Sequence, residues 1–200
     1  MSADLGSKPT KIASRAVRRL PGVEGVWVFI FADMTVFAIM FGAYMTDRSK
    51  SLALFEESRH ALSLTFGGVN TLILVTSSML VVLALDALKF GRPKWAPVFF
   101  GLALACGLAF MVSKGLEYHA KFEAGISLLT NDFFMYYFML TGMHLLHVTA
   151  GNVVLAVLCF KSRSMPASGG SLTAYESGAT YWHMVDLLWV CLFPLLYLVR

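Results

Sequence analysis

Five apolar runs divide this sequence, at about Val23–Met45, Phe66–Leu88, Trp95–Leu116, Phe133–Phe160 and Ala179–Val199. A helix needs about 20 apolar residues to cross about 30 Å of hydrocarbon, and each run reaches that length. A soluble core built from 200 residues could not hide five of them. The expected fold is all-α: a polytopic membrane protein, a bundle of five transmembrane helices. The stretches between the runs, "TDRSKSLALFEESRH", "KFGRP", "EYHAKFEAGISLLTND" and "KSRSMPASGGSLTAYES", carry charge, Gly, Pro or Ser and read as interhelical loops. Residues 1–20 form a basic tail ahead of a membrane domain over 21–200.

The net charge of +4 does not point to nucleic acid, because the basic residues lie scattered in short segments between apolar runs. Membrane topology accounts for them. Ten Lys and Arg fall on the side of the N-terminal tail and six on the other, which predicts a cytoplasmic N-terminus and a periplasmic or extracellular C-terminus in a bacterial-type plasma membrane. The first run is too long for the apolar core of a signal peptide and no small-residue cleavage site follows it, so it is expected to be retained. In the tail, Lys8, Lys11, Arg15 and Arg18 recur at helical steps. They read either as a short amphipathic helix for an anionic leaflet or as a disordered positive tail. Cys106, Cys159 and Cys191 stand singly in different runs, with no metal-ligand spacing, and read as packing residues.

Ionisable residues inside the runs are the candidate functional positions. Asp33 lies near the middle of the first run, where a carboxylate costs about 2.5–3.5 kcal/mol and demands a partner, water or a bound proton. His144 and His147 lie deep in the fourth run at a spacing that shares one helix face, and His147 is the first partner to test for Asp33. His183 and Asp186 share a face in the fifth, and Glu117 with Tyr118 closes the third. Three readings stay open for this set: a transition metal held between helices, a proton relay, or hydrogen bonds that fix helix packing around a polar interior. No span carries the Glu-x-x-His of the di-iron bundles. Asn70, Thr71, Thr76, Ser77 and Ser78 give the second run a polar side suited to back-bonding and close helix contact.

"FADMTVFAIMFGAY", "NTLILVTSS", "GLEYH", "TGMHLLHVTAGN" and "YESGATYWHMVDLLWVCLF" occur in that order, and with them the chain resembles subunit III of the haem–copper oxidases. Members of that family often have seven helices. The five here are similar to the shorter quinol-oxidase form and, more closely, to the NorE type of accessory protein found beside nitric oxide reductases. The resemblance carries the family's acidic helix residue onto Asp33, its Glu-Tyr pair onto Glu117 and Tyr118, its two histidines onto His144 and His147, and its Trp-His-x-x-Asp onto Trp182, His183 and Asp186. It implies an accessory subunit without catalytic residues of its own, binding phospholipid but no metal. Its partner would be a haem–copper catalytic subunit, holding the haem and metal, of a nitric oxide reductase or of a cytochrome c or quinol terminal oxidase. The chain's five histidines, two of them in loops, fall short of the six ligands such a catalytic subunit needs. A free-standing transporter or metal-dependent membrane enzyme is the competing expectation. Asp86 and Lys114 match no family position and read as snorkelling or partner-facing charges.

Overall fold

A computed structural model describes residues 22–164 and 172–199, which leaves the predicted basic tail outside the described residues. The described residues form six α-helices: α1 Glu24–Lys50, α2 Leu52–Arg59, α3 Leu64–Lys89, α4 Ala96–Glu123, α5 Asp132–Arg163 and α6 Thr173–Phe193. All but α2 are long and apolar enough to cross a membrane. The helices outrun the apolar runs because charged and aromatic end residues continue the same backbone ladder into the interface. α6 begins at Thr173 rather than Ala179, and Tyr175 in the added turns is buried.

α2 departs from the sequence expectation, which reads its residues as loop. Its Phe55 and Ser58 are buried, and Phe55 meets Tyr44 and Phe133 edge-on at 5.5 and 5.8 Å. Eight residues are too few for the apolar period to stand out from charged flanks. Asn131, the N-cap of α5, accepts from the Phe134 N–H at 3.0 Å and donates to the Ser58 hydroxyl at 2.8 Å, tying α2 to the start of α5. Arg59 donates to Glu56 at 2.5 Å, which holds the Glu56 carboxyl below its ordinary range, and to the Tyr197 carbonyl at 3.2 Å.

α3, α4, α5 and α6 close into a four-helix ring, and α1 lies along its α5–α6 edge. Close approach within the ring needs small residues: a Cβ on Gly151 would sit 2.6 Å from the Trp182 ring. α1 buries only Phe37 and Tyr44, while Val28, Phe31 and Ile39 face outward with two-thirds or more of their surface exposed. Apolar packing thus holds α1 weakly. α6 runs on into a π-helical turn, Pro194–Leu198, closed by Val199 N–H donating to the Pro194 carbonyl at 2.9 Å. Proline has no N–H and crowds the preceding turn, which disfavours the ordinary helical ladder at that point.

Candidate functional site

The eight residues singled out by sequence do not converge on one site; they fall into separate helix-to-helix contacts. Nearest the middle of α1, Asp33 Oδ1 lies 2.9 Å from His147 Nε2 on α5. The other ring nitrogen, Nδ1, is 2.8 Å from the Met143 carbonyl, which can only accept, so Nδ1 carries a proton. Nε2 and Oδ1 then hold a single proton between them: carboxylic acid against neutral imidazole, or carboxylate against imidazolium. Either form is neutral overall, which suits the bilayer interior. Phe37 meets the imidazole edge-on at 5.6 Å, and Asp33 Oδ2 is buried without a hydrogen bond. Three further polar ties fasten α1: the Val23 N–H to Ser177 Oγ at 2.9 Å, Tyr136 to Asp47 at 2.7 Å, and Tyr44 to the Leu195 carbonyl at 3.4 Å.

His144, one turn earlier on α5, has a different environment. It is fully buried between Phe110 and Trp189, with ring centroids 5.6 and 5.3 Å away, and neither nitrogen has a hydrogen-bond partner. Residues at i and i+3 diverge by about 60° around a helix. That angle sends His147 to α1 and His144 into the ring.

Glu117 anchors a cluster toward the far end of α4. Lys114 Nζ donates to Glu117 at 2.8 Å, to Tyr197 at 3.1 Å and to Tyr137 at 3.3 Å, while Tyr197 donates to the other Glu117 oxygen at 2.9 Å. The ammonium also faces the Trp189 ring at 5.0 Å and the Tyr137 ring at 5.1 Å. Lys114 is 1% exposed, so it does not snorkel as the sequence suggests. Aromatic and carboxylate contacts give the ammonium a buried destination instead. Tyr118, beside Glu117, bonds through its hydroxyl to Thr141 at 2.5 Å, while its ring lies 5.8 Å from the Lys114 ammonium.

On α6, the Trp182 indole donates to Ser77 Oγ at 3.1 Å, and Ser77 donates to the Ala103 carbonyl at 3.0 Å. His183 Nδ1 lies 2.7 Å from Ser78 Oγ. Asp186 is buried with neither oxygen hydrogen-bonded. Thr71 donates to the Gly67 carbonyl and accepts from the Trp189 indole, at 2.8 and 3.0 Å. Ser77 and Ser78 thus do more than back-bond: they receive the α6 motif. Sequence reading missed Tyr137, Tyr197 and the role of Lys114. The i,i+3 spacing of Lys114 and Glu117 was the available signal.

Among the described residues, no three His, Cys, Asp or Glu side chains are grouped to hold a metal ion. An apolar cleft of about 670 Å³ opens between α1 and the α5–α6 pair, bordered by Val26, Phe29, Val157, Leu158, Gly178 and Tyr181.

The family profile described as cytochrome c oxidase subunit III matches residues 13–199. Cytochrome c oxidase subunit 3 of Synechocystis is 33% identical over an alignment of 206 residues, covering all of this chain and 85% of the relative. The protein of the same name from Corynebacterium diphtheriae is 27% identical across the full length of both chains. Cytochrome bo(3) ubiquinol oxidase subunit 3 of Pseudomonas putida is 29% identical over 88% of this chain and 85% of its own.

Proposed function

The chain belongs to the cytochrome c oxidase subunit III family, and from that premise we propose that it is the non-catalytic third subunit of a terminal oxidase. The relatives are named as third subunits of cytochrome c and ubiquinol oxidases. The nitric oxide reductase accessory reading gives way to the terminal-oxidase one, because the relatives carry the names of cytochrome c and ubiquinol oxidase subunits. The partner is a haem–copper catalytic subunit, which holds the haem and metal.

The observation that carries the proposal is that Asp33, Glu117, His147 and His183 are each engaged by a side chain of this same protein. Groups committed to helix contacts support assembly and sustained turnover rather than chemistry. The cleft between α1 and α5–α6 suits phospholipid acyl chains. The charge count supports a cytoplasmic N-terminus in a plasma membrane.

Purification of the tagged chain in mild detergent tests the proposal. Co-purification of a larger haem-bearing subunit with oxygen uptake supports it, and so does metal content confined to that subunit. Isolation as a lone chain with stoichiometric metal, or with nitric oxide reduction in place of oxygen uptake, overturns it.

A further inference from the structure

The α3–α4 turn carries two charges that the helix-locking contacts do not use. Gly91 adopts φ +70°, and with it the Arg92 N–H reaches back to the Ala87 carbonyl at 2.8 Å while the Phe90 N–H bonds the Asp86 carbonyl at 2.9 Å. This glycine-terminated helix end stops α3 sharply and brings Arg92 back over its last turn. Asp86 and Arg92 consequently border one cavity of about 750 Å³, walled by Leu83, Phe90, Trp95 and Phe99. Phe90 is 78% and Trp95 59% exposed, the positions of aromatic side chains at a water–lipid boundary.

Neither the Asp86 carboxylate nor the Arg92 guanidinium has an ion-pair or side-chain hydrogen-bond partner among the described residues. Lys89, the nearest base in sequence, is drawn to Glu176 on α6 at 3.3 Å. Exposed Arg92 could satisfy itself in water by snorkelling. Half-buried Asp86 has a shorter reach and sits at a helix C-terminus, where the backbone dipole adds to its negative field. A cation beside it is the missing complement. An anionic ligand would answer Arg92 and repel Asp86; a simple amine would do the reverse. A zwitterion with phosphate and ammonium in one headgroup answers both, and the apolar wall accepts its chain.

We propose that this cavity binds the headgroup of phosphatidylethanolamine, with Arg92 on the phosphate and Asp86 on the primary ammonium. The ammonium N–H groups give Asp86 charge-assisted hydrogen bonds, which a choline headgroup lacks. The site goes beyond the oxidase reading and does not depend on which acceptor the partner reduces.

The test uses the full chain in its native membrane and phosphatidylethanolamine bearing a photoactivatable diazirine on one acyl chain. Labelling is expected within residues 83–99 and is competed by unlabelled phosphatidylethanolamine, but not by phosphatidylglycerol or phosphatidylcholine. Asp86→Asn and Arg92→Gln each lower labelling about tenfold, and Arg92→Lys retains most of it. The two side chains contact no other described side chain through hydrogen bonds or ion pairs, so these variants assemble, and the competition arm needs no variant. Equal competition by either other lipid overturns the proposal. So does labelling that survives both variants, or absence of labelling because a protein partner covers the cavity.

Discussion

Asp33 on α1 and His147 on α5 meet at 2.9 Å, and because the Met143 carbonyl already takes the Nδ1 proton, the pair shares one proton between carboxyl and imidazole. Apolar burial holds α1 weakly, so this neutral pair joins the ties through Val23, Tyr44 and Asp47 in attaching the helix to the ring.

Asp33→Asn should therefore assemble. Its amide donates to neutral His147 Nε2 and preserves the contact. Asp33→Leu strands that nitrogen and should destabilise the chain by about 1–3 kcal/mol, read as a lower midpoint of thermal unfolding in detergent. If the shared proton serves turnover, Asp33→Asn loses oxygen uptake progressively during sustained activity while its initial rate stays near wild type. Wild-type stability and turnover in both variants would remove Asp33 from the functional residues.

The two histidines should respond oppositely to substitution. At 147, Gln is better tolerated than Leu, because it can still bond Asp33. At 144, Leu is better tolerated than Gln, because the site is fully buried and offers no partner to a polar atom. Thermal unfolding of the four single variants distinguishes the cases.

The Lys114–Glu117 pair should show strong coupling. Lys114→Met leaves a buried carboxyl and Glu117→Gln a buried ammonium, and each should destabilise by about 3–5 kcal/mol. The double variant should lose clearly less than the sum. Tyr197→Phe removes one hydrogen bond of the cluster and should cost about 1 kcal/mol. Additive losses in the double-mutant cycle would show that the two groups act independently.

For topology, single cysteines are placed in a background lacking Cys106, Cys159 and Cys191. Leu129→Cys, in the 89% exposed tip between α4 and α5, should be labelled by an impermeant thiol reagent in intact cells. Lys94→Cys, between α3 and α4, should be labelled only after permeabilisation. The reverse pattern would invert the orientation drawn from the charge count.

Run length and hydropathy by themselves determined the five spans, since the bilayer fixes how many apolar residues a crossing needs and bars unpaired backbone from its core. Motif order determined the family in the same way, because "TGMHLLHVTAGN" and "YWHMVDLLW" are local strings. The polar residues were legible as a set but not as partners. Asp33 and His147 could be matched by depth, yet His144 shares His147's apparent face and ends in an aromatic enclosure, a difference of about 60° that only the neighbouring helices resolve. Lys114 likewise read as a charge escaping to the interface until Tyr137 from α5 and Trp189 and Tyr197 from the last span closed around it. A sequence states which groups must find a partner within the membrane. Which partner each one finds depends on helix rotation and crossing, and those are set by side-chain packing between segments far apart in the chain, which only the tertiary structure decides.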